Sequence, residues 1–369
     1  MTFSYPERPQ RVYWEITRAC DLACRHCRAT AVPDASPEEL SSADGQRLLE
    51  QLTAFGDPLP HLVLTGGDAL KRRDLFELIA AARAFGFDVS VAPSATPLLT
   101  ANAIERLKEA GVDAISLSLD GSTAERHDFI RGIAGTFERT LEAARAARTH
   151  DLPFQVNTLV CLETADDLPA IHERVLAMGA ARWSLFFLVS VGRGEVLAPV
   201  SAQEAESILN WAANLSGPPG PGQLVVTTTE APHIRRIVAE RRRQQPASRE
   251  GARPSHVHRG AGIRDGNGVM FISHTGEICP SGFLELSVGN VRSRSVVEAY
   301  RSDPLFNQLR DPERFEGRCG RCEFHWLCGG SRARAYASWG SPFAEDPLCT
   351  YERPARQQTQ RNSASDAHC

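Results

Sequence analysis

The most informative stretch of this chain is residues 12–27, with the sequence VYWEITRACDLACRHC. Its first part, residues 12–17, is rich in β-branched and aromatic residues and predicts a β-strand. Its second part carries Cys20, Cys24 and Cys27 in the spacing C-x3-C-x2-C. These cysteines indicate a metal site, because parallel α/β folds place their sites beyond the carboxyl ends of the strands.

The number of cysteines narrows the kind of metal site. A cubane cluster has four irons, and three cysteines leave one iron open to a ligand that is not protein. A structural zinc site is normally closed by four ligands, and a simple electron carrier normally uses four cysteines. His26 would have to fold back from its place beside Cys27 to act as a fourth ligand. A zinc knuckle and unrelated thiols are the alternatives.

A second cysteine group lies near the C-terminus, at Cys319, Cys322, Cys328 and Cys349. Three more cysteines stand alone, at positions 161, 279 and 369, which brings the total to 10. In a cytosolic protein such clusters indicate metal ligands or redox groups rather than disulfides.

The composition places the chain among ordinary globular proteins. It has 369 residues, 42% of them hydrophobic and 23% charged, which excludes wholesale disorder and a collagen-like fibre. The formal net charge of -4 gives no field that would draw the protein onto nucleic acid or an anionic membrane. No apolar run reaches the roughly 18 residues of a membrane helix, and the polar N-terminus lacks a signal-peptide core. We therefore expect a cytoplasmic protein with no nucleic-acid or membrane partner.

Six predicted strands alternate with helices, mostly through short connections. We expect strands at residues 12–17, 61–65, 88–92, 114–119, 154–161 and 183–189, with helices at 36–55, 74–85, 100–110, 135–149 and 165–178. This alternation is typical of a parallel sheet covered by helices. A full barrel would need two more units, so the chain predicts an α/β fold whose residues 1–195 form a partial (β/α)6 TIM barrel.

The remaining residues divide into three predicted segments. Residues 196–268 read as a linker of helices and loops, and residues 269–351 as a small cysteine-rich α+β extension that begins with a β-hairpin. Residues 352–369 are polar and predict a disordered tail. The arginine- and histidine-rich residues 233–259 predict either a contact for an anionic substrate or a solvated basic loop.

Four motifs together resemble those of radical SAM enzymes. Residues 17–27, TRACDLACRHC, resemble the signature loop of that family, and residues 65–68, TGGD, are similar to its GGE motif. Residues 116–121, SLSLDG, and 127–132, HDFIRG, continue the resemblance. Residues 319–330, CGRCEFHWLCGG, resemble the SPASM or Twitch extension, which holds auxiliary clusters. Within the family, the TRAC and GGD motifs look most like members related to heme-biosynthetic decarboxylases.

The resemblance implies a cofactor and a reaction type. Cys20, Cys24 and Cys27 would hold a 4Fe–4S cluster whose open iron binds S-adenosylmethionine (SAM). One electron from the cluster would cleave SAM to methionine and a 5′-deoxyadenosyl radical, which would abstract hydrogen from the substrate. A low-potential reductant, flavodoxin or ferredoxin, is implied as a partner.

The resemblance also implies six SAM contacts: His26, Gly66, Gly67, Asp68, Ser118 and Asn157. The glycines would let the backbone approach the methionine end closely. Asp68 would accept from the SAM amino group, although the family usually has Glu there. Ser118 and Asn157 would bind the carboxylate or ribose, or else are ordinary strand residues satisfied by their neighbours. His26 stands where the family usually has an aromatic residue beside the adenine.

By the same resemblance, one auxiliary cluster is expected in the extension. Cys319, Cys322, Cys328 and Cys349 match the four cysteines of the second auxiliary cluster in a full SPASM domain. Two positions that would carry cysteines of the first set are instead occupied by Arg294 and Arg332, which leaves Cys279 from that set. We therefore expect two 4Fe–4S clusters in all, with Cys279 a free thiol or a substrate-side group. Structural zinc is the alternative for the C-terminal cysteines.

The expected reaction is oxidative decarboxylation of a carboxylate-bearing small molecule, either a tetrapyrrole or a natural-product intermediate. A peptide maturase is the alternative enzyme, and we expect it to carry a peptide-binding domain before the first strand, where this chain has only a short segment. A separate partner protein could supply that domain instead. An iron–sulfur electron carrier or sensor is the non-enzymatic alternative. It would gain nothing from an open iron.

Overall fold

The computed structural model describes residues 5–215, 223–244 and 262–352. Its centre is a nine-stranded sheet in the order β7-β6-β5-β4-β3-β2-β1-β8-β9. The strands are β1 (Arg11–Thr17), β2 (His61–Gly66), β3 (Val89–Val91), β4 (Ala114–Ser118), β5 (Phe154–Val160), β6 (Arg182–Phe187), β7 (Val225–Thr229), β8 (Val269–Ile272) and β9 (Ile278–Cys279). Neighbouring strands are parallel except for the antiparallel pair β8 and β9.

Helices connect the strands and follow the sheet. They are α1 (Ser42–Thr53), α2 (Leu75–Ala84), α3 (Ala101–Glu109), α4 (Ala124–Arg131), α5 (Thr136–Thr149), α6 (Leu168–Met178), α7 (Ala202–Leu215), α8 (His233–Gln244), α9 (Val296–Ser302), α10 (Pro304–Arg310), α11 (Gly317–Arg321) and α12 (Arg332–Trp339). Local sequence sets several helix starts. Ser41, for example, forms a capping box with Asp44 at the start of α1.

The partial-barrel prediction is confirmed, and the sheet is larger than the sequence indicated. All six predicted strands form, within a residue or two of their expected bounds. A seventh parallel strand, β7, lies in residues predicted to be helical or loop, and it pairs with β6. The predicted hairpin forms as β8 and β9, but β8 also joins the barrel sheet beside β1. The division of the chain at residues 196, 269 and 352 stays a prediction, and the predicted tail lies almost wholly outside the described residues.

The two faces of the sheet differ in character. On β1, Val12, Trp14 and Ile16 are fully buried and belong to the main hydrophobic core under the helices. Since successive strand residues point to opposite faces, Tyr13 and Glu15 face the inside of the barrel. The same alternation recurs on β4 and β5, whereas β8 turns Phe271 inward. The helix side is therefore apolar, whereas the barrel interior carries polar side chains.

Candidate active site

The first cysteine group lies on the loop that follows β1. Cys20 and Cys24 are buried in one cluster with Leu22, and Cys27 packs against them. The Cys20 N–H donates to the Val32 carbonyl at 2.8 Å, which folds the loop back on itself. The loop therefore gathers the three cysteines at the carboxyl end of the sheet, as predicted.

Each sulfur of this loop accepts a hydrogen bond. The Leu22 N–H lies 3.4 Å from the Cys20 sulfur, and the Ala31 N–H lies 3.4 Å from the Cys27 sulfur. The Arg131 guanidinium lies 3.8 Å from the Cys24 sulfur. Such donors stabilise a thiolate, which is the form that binds metal.

Burial acts in the opposite direction and raises the pKa of Cys20 and of Cys24. Among the residues described, no group of three or more His, Cys, Asp or Glu side chains is arranged to hold a single metal ion. A 4Fe–4S cluster distributes its cysteine ligands over several iron atoms. The donor set of this loop consists of three thiols that each accept a hydrogen bond, and it fits such a cluster.

The glycine turn after β2 touches the start of the cysteine loop. The Gly67 N–H donates to the Thr17 carbonyl at 2.8 Å, and the Asp68 N–H donates to the Ala19 carbonyl at 2.7 Å. A Cβ atom at Gly66 would lie 2.3 Å from the Thr17 oxygen, and one at Gly67 would lie 2.5 Å from the Ala19 oxygen. Only glycine allows this approach, so the turn holds the loop by its backbone.

The Asp68 carboxylate is hydrogen-bonded to protein groups, whereas the expected SAM contact needs it to accept from the SAM amino group. Its buried carboxylate accepts from the Leu70 N–H at 3.1 Å, the Ser94 N–H at 3.3 Å and the Thr96 hydroxyl at 2.6 Å. Burial raises its pKa. The side chain thus joins the turn to the segment after β3, and its contact with SAM stays a prediction.

Three side chains beside the loop have buried nitrogen atoms without hydrogen-bond partners among the described residues, and one of them is Arg131, at Nε. The other atoms are Nδ1 of His26 and both Nε and Nη2 of Arg193. Burial, with the nearby charge of Arg131, lowers the pKa of His26 to about 4, so its imidazole is neutral. Unpartnered buried donors and acceptors are costly unless a ligand or water completes them. A polar cofactor at this position therefore fits the residues present.

Sequence reasoning missed Arg193. It lies in a short 3-10 helix, Gly192–Val196, after the carboxyl end of β6, and its backbone N–H donates to the Cys27 carbonyl at 3.0 Å. Its position between two glycines just beyond a barrel strand could have marked it as a candidate site residue.

Ser118 and Asn157 lie side by side in the barrel interior. They are register partners on β4 and β5, and each is partly exposed. The Asn157 side-chain oxygen accepts from the Gln155 amide at 2.6 Å. The structure thus brings the two predicted residues together on the inner face of the sheet. Their contacts with SAM stay a prediction.

A buried ion-pair network fixes both ends of the cysteine loop, and sequence reasoning missed it. Glu15 on β1 is fully buried, and its carboxylate lies 3.0 Å from Arg18 Nε and 2.5 Å from Arg28 Nη2. Both arginines also reach Glu285, and His274 Nδ1 lies 3.0 Å from Glu15. Burial alone would raise the pKa of Glu15, yet these positively charged and hydrogen-bonding partners lower it to about 2.

The four C-terminal cysteines also come together. Cys319 lies in α11, and its sulfur accepts from the Asp346 N–H at 3.4 Å and from Arg332 Nη2 at 3.5 Å. Burial, and then the nearby thiols of Cys349 and Cys319, raise the pKa of Cys322 and of Cys328. The predicted ligand set is therefore a spatial group.

Each of the other three sulfurs in this group has a donor as well. The Phe324 N–H lies 3.4 Å from the Cys322 sulfur, and the Gly330 backbone bonds to Cys328. The imidazole of His233, which also pairs with Asp346 at 3.3 Å, bonds to Cys349. Although burial opposes it, His233 lowers the pKa of the Cys349 thiol.

Two of the lone cysteines, Cys161 and Cys279, are buried and protonated. Cys279 is buried on β9, where burial raises its pKa to about 12. Cys161 is buried and contacts the Thr164 hydroxyl, and its pKa is likewise raised to about 12 by burial. Both are neutral thiols at physiological pH.

The basic residues of α8 are engaged within the protein. Arg236 pairs with Glu206 and with Glu240, the latter at 2.6 Å, and His233 is held by Asp346. Positions 245–259 of the predicted anion contact lie outside the described residues. No helix in the part of the chain that the structure describes is long and apolar enough to cross a membrane.

Known proteins are similar to this chain in sequence and in fold. The family model for the radical SAM superfamily matches residues 14–175. The AdoMet-dependent heme synthase of Oleidesulfovibrio alaskensis is 38% identical over 348 residues, covering 92% of this chain and 87% of its own. This chain therefore belongs to the radical SAM superfamily and is an enzyme that uses SAM, a 4Fe–4S cluster and an external reductant. Within the family it falls in a subgroup whose members include enzymes of heme biosynthesis.

More distant relatives act on different molecules. The Fe-coproporphyrin III synthase of Methanosarcina barkeri is 28% identical, covering 95% of this chain and 89% of its own. The PqqA peptide cyclase of Rhodopseudomonas palustris is also 28% identical, covering 92% and 86%.

Two solved structures share the fold at low sequence identity. SuiB from Streptococcus suis has a TM-score of 0.70 at 17% identity, covering 94% of this chain and 78% of that one. The enzyme anSMEcpe with bound AdoMet has a TM-score of 0.66 at 14% identity, covering 92% and 94%. They support the partial-barrel fold.

Proposed function

We propose that this enzyme oxidatively decarboxylates propionate side chains of an iron tetrapyrrole to vinyl groups. The observation that carries the proposal is the 38% identity to a heme synthase along 92% of the chain. Heme bears two vinyl groups, and each corresponds to a propionate that has lost carbon dioxide and a hydrogen atom. The peptide cyclase relative is less similar, at 28%.

The proposed SAM site combines the cysteine loop with the surrounding strand ends. Cys20, Cys24 and Cys27 hold the 4Fe–4S cluster, and the N–H donors to their sulfurs support this assignment. The SAM contacts are proposed for the six residues His26, Gly66, Gly67, Asp68, Ser118 and Asn157. The unpartnered Nδ1 of His26 supports its role.

The proposed reaction balances in atoms and electrons. When bound, the cluster and SAM supply a 5′-deoxyadenosyl radical at the cost of one external electron. A hydrogen atom then passes from the propionate carbon next to the macrocycle to that radical, giving 5′-deoxyadenosine. The carbon–carbon bond to the carboxylate breaks, carbon dioxide leaves, a vinyl group forms and one electron is released. Each decarboxylation therefore consumes one SAM, and one electron enters while another leaves.

The C-terminal cysteines are proposed to hold an auxiliary 4Fe–4S cluster that accepts the released electron. Cys319, Cys322, Cys328 and Cys349 supply a full set of four thiolates, which suits electron transfer rather than SAM binding. The donors that face all four sulfurs support this assignment. A low-potential flavodoxin or ferredoxin is the proposed source of the incoming electron.

Turnover tests the proposed substrate directly. Anaerobically reconstituted enzyme is incubated with iron coproporphyrin III, SAM and dithionite, and the porphyrin is followed by mass spectrometry. We expect stepwise loss of carboxyl groups as vinyl groups form, with one 5′-deoxyadenosine for each. Deoxyadenosine formation with an unchanged porphyrin would overturn the substrate and leave the radical SAM class intact. Modification of a precursor peptide under those conditions would favour the maturase.

A further inference from the structure

Part of the inner face of this barrel is polar and partly exposed. Complete TIM barrels fill their interior with layers of branched apolar side chains. Here the inward positions of β1, β4 and β5 instead include Tyr13, Ser116, Gln155 and Asn157, and all four are partly exposed. Their strand neighbours on the helix side are buried. The barrel interior, from here on the lumen, can therefore admit a polar ligand.

Two arginines begin strands at the amino-terminal end of the lumen. Arg11 is the first residue of β1, and Arg182 is the first residue of β6. In the sheet, four other strands, β2 to β5, lie between β1 and β6. The two charges nevertheless interact, since burial and then Arg11 lower the pKa of Arg182. They approach across the lumen rather than along the sheet.

Neighbouring residues add to Arg11 and Arg182 and make this end of the lumen polar and cationic. This end is called the floor from here on. Tyr13, two residues along β1 from Arg11, lies close enough to affect Arg182. Both arginines also act on His61 of β2, whose pKa is lowered first by burial and then by Arg11. The His61 ring contacts the Ser90 hydroxyl at 2.8 Å. Four strands thus contribute to this end of the lumen.

Neither arginine of the floor is paired with a carboxylate among the described residues. Within residues 5–215, 223–244 and 262–352, neither Arg11 nor Arg182 has a hydrogen bond or an ion pair through its guanidinium. The two carboxylates near His61, Asp88 and Asp113, both pair with Arg83, at 3.8 Å and 2.9 Å. A guanidinium stays charged in proteins, and partly buried like charges without an anion are unfavourable. An anion between the two arginines would relieve this repulsion.

We propose that Arg11 and Arg182 bind a carboxylate of the substrate that does not react. This inference rests on the proposed function and adds a second anchor point to it. Arg11 lies six residues before Thr17, about 20 Å along the strand from the cysteine loop. A tetrapyrrole with carboxylates on opposite edges can hold one at the floor while another reaches the radical. The floor would then determine which propionates are kept.

The test measures binding of a charged probe and of its neutral analogue. The variants are R11Q and R182Q, and the control is R47Q, an exposed arginine of α1 that pairs with Asp44. The probes are iron coproporphyrin III and its tetra-amide, titrated by absorbance. We expect each floor variant to raise the Kd of the acid about tenfold, the loss of one charge-assisted contact. The Kd of the amide, and both Kd values in R47Q, should stay unchanged.

Two outcomes would overturn the floor site. One is an unchanged Kd for the acid in R11Q and R182Q, and the other is equal weakening of acid and amide, which would show that the arginines do not recognise the carboxylate. Uncoupled 5′-deoxyadenosine formation without porphyrin should be the same in every variant, because the floor is far from the cysteine loop.

The floor site and the proposed function can fail separately. If the wild type binds the acid through the arginines but makes no vinyl group, the decarboxylation fails and the floor site stands. If the wild type makes vinyl groups and both floor variants bind the acid normally, the floor site fails and the decarboxylation stands. A wild type that does not bind the acid overturns both.

Discussion

At each cysteine assigned to a cluster, a hydrogen-bond donor faces the sulfur. Some donors are local, such as the Leu22 N–H at Cys20. Others come from distant segments, such as Arg131 at Cys24 and His233 at Cys349. The cysteines could be predicted because their spacing is local in the chain. The distant donors could not be predicted, because folding alone brings their segments to the cysteines, and the same is true of the Glu15 network.

The residue with the largest expected effect outside the cysteines is Glu15. Replacing Glu15 with Gln leaves Arg18 and Arg28 short of their buried counter-charge. We expect Glu15→Gln to lower the free energy of unfolding by about 3 kcal/mol, as removal of one partner from a buried ion pair does. Chemical denaturation under anaerobic conditions measures this change.

Glu285→Gln is the matched control for that variant. Glu285 contacts the same two arginines, but its side chain is 39% exposed, whereas that of Glu15 is 0% exposed. A surface partner of this kind contributes at most about 1 kcal/mol. Equal losses in the two variants would show that Glu15 has no special place in the network.

At the level of elements, the strand–helix alternation made the sheet predictable, and its exceptions have physical reasons. Strand β7, VVTTT, has three threonines after its two valines, so it lacks the apolar run of the other strands. Helix α4 is short and polar, although Thr123 caps its start and Gly132 ends it. The place of β8 beside β1 depends on pairing between distant segments, which no local pattern reports.

The glycine turn is the element that meets the cysteine loop, and Gly67→Ala tests that contact. The added Cβ would lie 2.5 Å from the Ala19 oxygen, so the loop must move. After anaerobic reconstitution we expect Gly67→Ala to lose about four irons per chain, those of the SAM-binding cluster. Gly86→Ala is the control: Gly86 has a positive φ, which Gly67 lacks, but a Cβ atom at Gly86 would meet open space. Full iron loading of Gly67→Ala would contradict this role of the turn.

At the level of the whole molecule, one sheet connects the two cysteine groups. Strands β8 and β9 lead from the barrel into the C-terminal region, and His274 and Glu285 from that region complete the Glu15 network. The SAM site and the proposed auxiliary site are therefore parts of one framework. Disturbing one group of cysteines should leave the other able to bind iron.

Replacing Cys319, Cys322, Cys328 and Cys349 with alanine tests whether these cysteines accept the released electron while the N-terminal cysteines support SAM cleavage. We expect this variant to lose about four irons and to keep uncoupled 5′-deoxyadenosine formation, because the SAM-binding loop is intact. Vinyl formation should be lost, since the released electron has no acceptor. Cys279→Ala is the control and should keep both activities. Zinc bound by the wild type at these cysteines would instead contradict the auxiliary cluster.

The measurement that tests the central claim most directly is an iron count combined with a deoxyadenosine assay. It compares the wild type with a variant in which Cys20, Cys24 and Cys27 are all alanine, each reconstituted anaerobically and reduced with dithionite in the presence of SAM. We predict about eight irons in the wild type and about four in the variant, with 5′-deoxyadenosine formed only by the wild type. Deoxyadenosine formation by the variant, or its absence from fully loaded wild type even with iron coproporphyrin III, would contradict the assignment of the radical chemistry to this loop.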